Sequence, residues 1–257
     1  MRAPGEHEKA AIALFTLALV LLVLAFLLGR RDLVGATLVL CAAAAFFTAI
    51  LLLTFTKESG IDPGIAALLP VEGAITICSI AGELGLQERG YVLEDPWSKS
   101  SGHLIHWIAA GAFQPPQGVY KGIFHATEGS YGMAIEPAGA PLLKWLKGRH
   151  ALQIPEVEEG IFIAMREVLE DALELADAVS ISRVNEDIVV EIQGFRLMSG
   201  CEAVRSASPR CCTMYPCPVC SLLACIMVKG MKKPVALAEV GVDEEHRTLK
   251  LLYSSSV

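Results

Sequence analysis

The sequence predicts an α+β soluble domain preceded by a two-helix transmembrane hairpin. Three observations carry that prediction: two uninterrupted apolar runs near the start of the chain, one strongly amphipathic helix in its middle, and a C-terminal order of two strands, cysteine-rich segment, helix and two strands. With 257 residues and 53% hydrophobic side chains, the chain has material for one medium domain plus a membrane-embedded part.

Residues 10–29, AAIALFTLALVLLVLAFLLG, hold no charge and reach the roughly 20 apolar residues that a helix needs to cross a bilayer core. Residues 33–55 repeat the pattern, with Gly35, Ala36 and Ala42 to Ala45 small enough for close helix contact. Only Arg30, Arg31 and Asp32 separate the runs. Backbone in lipid must satisfy its own hydrogen bonds, so so short a link folds the two helices back as an antiparallel hairpin within residues 1–56. A signal peptide fits less well, since its apolar region is about 7–15 residues and no second run follows it.

Basic residues near membrane ends favour the cytoplasm, but Arg2, Lys9 and Lys57 on the tails balance Arg30 and Arg31 in the loop. The cysteines lean the domain toward the cytoplasm, where adjacent thiols persist reduced. Residues 1–56 carry four basic and three acidic side chains, a net of +1, which leaves −8 of the total −7 for residues 57–257. An acidic domain argues against nucleic acid as a partner, because phosphate binding works through Lys and Arg.

TKESGIDPG, residues 56–64, reads as the membrane exit, with Asp62 placed to cap a helix and Pro63 suited to its first turn. Residues 64–86 predict one or two short helices. Residues 94–132 are rich in Gly, Pro and Ser around apolar islands and predict loops and short strands. A strand over 132–136 and a helix from Pro141 follow. Residues 156–177 form the clearest helix: Val157, Ile161, Ala164, Val168, Ala172 and Leu175 recur at three- and four-residue steps, with eight acidic residues against Arg166 mostly on other faces. That acidic face reads as a solvated surface. AVSISRVNEDIVVEIQG predicts a hairpin, residues 218–230 a helix, and residues 234–254 a second strand pair.

The cysteines invite chemistry. Cys201, Cys211, Cys212, Cys217, Cys220 and Cys225 fall within 25 residues, whereas Cys41 and Cys78 sit in apolar stretches and read as small hydrophobes. Cys217 and Cys220 form a C-x-x-C pair, and Cys201 with Cys212 or Cys211 completes four thiols, a set suited to zinc or an iron–sulfur cluster. Arg196, Arg205, Arg210, Lys229, Lys232 and Lys233 against Glu202 alone give residues 196–233 a net +5 that offsets thiolates. No second C-x-x-C pair is present. A redox pair is the competing reading, since a C-x-x-C at a helix start lowers the first thiol's pKa; inert burial is the third, and Cys225, flanked by Leu222, Leu223, Ile226 and Met227, fits it best.

EGIFIAMREVLEDALELADAVSISRVNEDIVVEIQG followed by CPVCSLLACIMVKGMKKPVALAEV, about residues 159–254, resembles the vinyl-reductase-type small-molecule-binding domain, a relative of the TRAPP tethering-subunit fold. The resemblance implies a long helix, paired strands, a small-residue helix entered at a cysteine, a strand near Glu239, an apolar small-molecule ligand and cysteines as metal ligands. The family usually carries two more cysteines in the last strand pair, and EVGVDEEHRTLKLLY has none. The whole chain also resembles uncharacterised archaeal membrane proteins built of two helices and a cysteine-containing tail.

His103 and His106 stand three apart beside Trp107, a spacing that puts both on one face of a helix, but H-E-x-x-H, Walker A, dinucleotide and G-x-S-x-G patterns are absent. With no catalytic motif, the sequence favours a non-enzymatic, membrane-anchored sensor or interaction protein that binds a small hydrophobic ligand or a protein partner and holds a metal on Cys201, Cys212, Cys217 and Cys220. A membrane-tethered thiol–disulfide oxidoreductase using Cys217 and Cys220 is the alternative. A structural subunit of a membrane complex, homo-oligomeric or otherwise, is the third.

Overall fold

The computed structural model describes residues 6–28, 33–55, 62–86, 88–97, 102–116, 122–127 and 130–255. They fall into two compact units, Met1–Ile61 and Asp62–Val257.

In the first unit, α1 (Glu6–Leu28) and α2 (Leu33–Phe55) pack side by side. Ala11, Ala18, Ala42 and Ala49 are buried at their contact, and Phe15 meets Phe46 edge-on with ring centroids 5.5 Å apart. Small residues let the helix backbones approach, as expected where packing rather than water drives association. Leu19, Phe26, Leu40 and Phe47 point outward and are exposed. Both helices are long and apolar enough to cross a membrane, and neither has a polar face that would suit water.

The second unit begins with α3 (Pro63–Leu68), capped by Asp62, whose Oδ1 accepts from the Gly64 amide at 2.8 Å, and α4 (Val71–Glu83). Its framework is an eight-stranded sheet in the order β3-β4-β2-β1-β7-β8-β6-β5. The strands are β1 (Gly90–Glu94), β2 (Leu104–Ala109), β3 (Phe124–Thr127), β4 (Ser130–Ile135), β5 (Ala178–Val184), β6 (Asp187–Gln193), β7 (Val235–Asp243) and β8 (Thr248–Ser254). All neighbours are antiparallel, and the two halves join where β1 meets β7 through Tyr91 opposite Ala236 and Val92 opposite Val235. The helices α5 (Ala140–Arg149), α6 (Glu158–Glu167), α7 (Met198–Ala207), α8 (Cys211–Met214) and α9 (Pro218–Met231) complete the domain.

The long helix expected over 156–177 is shorter. After α6 the chain widens into a π turn at Val168–Ala172, where the Leu173 amide bonds the Val168 carbonyl at 3.0 Å. The wider turn brings Val168 and Leu169 together into the core behind Ile161 and Met165, and it frees the chain so that the Asp177 amide reaches the Gln193 carbonyl and starts β5. The cysteine segment is also more helical than loop, since α7 and α8 occupy most of it.

His103 and His106 do not share a helical face. They flank the start of β2, whose residues are all buried; His103 is exposed and His106 is wholly enclosed. The His106 Nε2–H donates to the Met214 carbonyl at 2.8 Å, and the ring meets Tyr215 edge-on. β2 is one of the short strands expected within residues 94–132.

α9 is the buried axis, with every residue from Val219 to Val228 in the core. Gly139 lets the entry to α5 touch it: a Cβ there would stand 2.2 Å from the Leu222 nitrogen. Gly139→Ala is therefore expected to destabilise the fold by roughly 1–3 kcal/mol, the usual cost of overpacking. Gly148, with open space around its Cβ position, serves as the contrast, and Gly148→Ala is expected to stabilise α5 by about 0.5–1 kcal/mol. Denaturant unfolding of both variants checks the pair.

Burial drives the His106 pKa down to about 4 from 6.5, against a smaller opposing effect of the Met214 carbonyl. Between those values the unfolded ring holds a proton that the folded ring lacks, so stability falls as pH drops from 6.5 to 4. The full loss is about 3 kcal/mol below that window. In pH-dependent unfolding, His106→Gln is expected to remove this part of the slope relative to wild type, and parallel curves for the two proteins would contradict the assignment.

Candidate functional site

The site is built where α9 begins. Cys217 is the N-cap, with φ −57° and ψ 163°, and Pro218 occupies the first helical position, where its missing N–H costs nothing. The C-x-x-C spacing then sets Cys220 one turn into the helix. α7 brings Cys201 to the same point, because Met198, Cys201 and Val204 form its buried stripe. The Tyr253 hydroxyl donates to the Cys220 carbonyl at 2.9 Å and pins the first turn of α9 against β8.

The thiols of Cys201 and Cys220 turn toward the Cys217 sulfur, and the amides of Cys220 and Val219 lie on its helix side, although no capping bond closes. These contacts, led by Cys201, hold the Cys217 pKa well below the ordinary 9.0 in spite of burial. A helix N-terminus favours negative charge, which selects Cys217 as the thiolate of the group. Cys201 and Cys220 are pushed up, first by their contact with Cys217 and then by burial. Cys212 is raised to about 11 by burial and by the charge at Cys217. Cys225 is enclosed in the helix body and raised to about 12 by burial.

Of the four thiols that the sequence selects as ligands, Cys201, Cys217 and Cys220 meet, while Cys212 lies in the adjoining core of α4, α7 and α8. Cys211 turns away toward Cys78, whose Sγ lies 3.6 Å from the Cys211 carbonyl. Among the described residues, no three His, Cys, Asp or Glu side chains are arranged to hold a metal ion. Four thiols suit zinc or an iron–sulfur cluster chemically, and three of them, Cys201, Cys217 and Cys220, are in mutual contact.

Sequence reasoning missed the space beside the thiols. A cavity of about 490 Å³ lies between the α3–α4 junction, the start of α7 and the start of α9, within the range of about 300–1,000 Å³ common for small-molecule sites. Its walls include Ala66, Leu69, Leu175, Phe195 and Val204, with Cys201 and Cys217 as the polarisable atoms, and no charged side chain lines it. Its residues come from positions 66 to 219, so no local pattern announces it. A larger groove of about 830 Å³ is lined by His103, Lys144, Lys147 and Lys229. The buried Lys229 amine is already engaged there, donating to the Gly102 carbonyl at 2.5 Å and pairing with Glu94.

Cys217 keeps part of its surface accessible, so its ionisation is measurable. Alkylation by iodoacetamide, followed by peptide mass spectrometry, is expected to show a rate midpoint for Cys217 below pH 9.0. Cys201→Ala is expected to move that midpoint upward by removing the leading contact. A wild-type midpoint at or above the ordinary value would contradict the assigned thiolate.

No curated protein and no solved structure matches the chain. The model of a domain of unknown function, DUF7982, matches residues 2–253, and a match spanning both units makes this chain a member of the DUF7982 family.

Proposed function

We propose that the protein is a membrane-anchored sensor. The α1–α2 pair serves as a transmembrane hairpin, the α+β domain stands on the cytoplasmic side, and a small apolar ligand occupies the cavity beside Cys217. The observation that carries this reading is an uncharged cavity of about 490 Å³ whose wall includes Cys201 and Cys217 at the start of α9. The resemblance of residues 159–254 to the vinyl-reductase-type domain supports an apolar small molecule as the ligand. A ligand in contact with Cys217 changes the solvation of its sulfur, which couples occupancy to thiol reactivity.

A second reading is favoured by one specific feature, a lowered-pKa cysteine at the head of a C-x-x-C helix. As a thiol–disulfide oxidoreductase, the Cys217 thiolate attacks one sulfur of a substrate disulfide, and the other sulfur leaves as a thiolate. The Cys220 thiol then gives up its proton and attacks the Cys217 sulfur, which releases the reduced substrate and leaves a Cys217–Cys220 disulfide. Cys220 is almost fully buried, so this route needs movement at the start of α9, whereas ligand binding needs none.

The test uses the full chain in lipid nanodiscs with a diazirine-bearing long-chain fatty acid as the photoreactive probe. Light is expected to attach the probe to peptides carrying residues 66–74 and 195–204, and Ala66→Trp, which fills the cavity, is expected to reduce that labelling by roughly tenfold or more. Labelling confined to residues 6–55 would overturn the cavity reading.

A further inference from the structure

α3 presents Ile65, Leu68 and Leu69 to the outside at 59%, 53% and 72% exposure. Single exposed apolar residues are ordinary, but three large ones on one turn form a patch of the kind that marks a binding surface. Leu69 belongs to two surfaces at once, since it is strongly exposed and also lines the 490 Å³ cavity beside Ala66 and Pro70. The patch is therefore the outer lip of the cavity. No charged side chain interrupts residues 63–71.

Connectivity supplies the partner. Seven residues, 56–62, separate α3 from α2, a helix long and apolar enough to span a bilayer, and so short a tether keeps the surface of any bilayer crossed by α2 within reach of α3. A short helix with large apolar side chains on its free face is suited to the boundary between headgroups and acyl chains. We propose that α3 lies in the surface of the bilayer and forms the doorway of the cavity, so that the ligand is a membrane lipid with an apolar chain, drawn from the bilayer and not from water. This rests on the cavity reading given above and adds the source and class of the ligand. An uncharged wall explains why the chain, and not a charged headgroup, is the part enclosed.

Two measurements on the full chain in phosphatidylcholine vesicles test it. Benzoylphenylalanine in place of Leu68 is expected to give phospholipid adducts on irradiation, detected by mass spectrometry; the same replacement at Val184, equally exposed on β5, is expected to give few or none. Ile65→Asp with Leu68→Asp, positions outside the cavity wall, is expected to slow cavity labelling by the diazirine fatty acid roughly tenfold when the probe arrives in donor vesicles, and to leave it unchanged when the probe arrives as monomer in water. Equal adduct yields at 68 and 184, or equal effects on both routes of delivery, would overturn the doorway while the cavity stands. Cavity labelling that survives Ala66→Trp would overturn the cavity reading and this inference with it.

Discussion

Everything in the second unit is arranged around the burial of α9. Ten consecutive residues of that helix, Val219 to Val228, are in the core, which only a helix apolar on all sides permits. By length and composition residues 211–231 also qualify as a membrane span, yet most of that stretch is buried inside the domain. The sheet on one side and α5 and α6 around it take the place that lipid would otherwise fill. Close approach is purchased with glycine: Gly139 admits the entry of α5, and a Cβ on Gly230 would stand 2.4 Å from Ile161 Cδ1.

A buried helix has one troublesome end, because its first amides lack partners within the helix. At α9 the chain supplies Pro218, which has no N–H to satisfy, and a cysteine N-cap whose sulfur accepts negative charge readily. Two further thiols then gather on that sulfur. The ionisation assigned to Cys217 is thus a consequence of packing: the Cys201 and Cys220 thiols and the first amides of α9 favour its charged form and outweigh the burial that opposes it. The apolar cavity is the remaining gap where α3, α7 and α9 converge without filling the space between them.

The parts of this arrangement that local pattern encodes were legible in the sequence. Asp62 and Pro63 announced the start of α3, the alternation on both sides of VNED announced β5 and β6, and the unbroken apolar runs announced α1 and α2. The convergence of Cys201 with the C-x-x-C pair was expected from the sequence. β1 escaped notice because its signal depends on pairing with β2 and with β7, the latter distant in sequence. The π turn after α6 followed from a demand of the sheet, and Cys78 found its partner Cys211 across 133 positions. Neither leaves a trace in residue spacing.

The central proposal is that an apolar molecule, rather than a metal, is what the start of α9 binds. Native mass spectrometry of the full chain, released from detergent in the gas phase, weighs both directly. The account predicts a retained mass of one apolar molecule per chain that is absent from Ala66→Trp, with no mass added for zinc or for iron and sulfide. A chain that carries zinc or an iron–sulfur cluster and no organic molecule would contradict it.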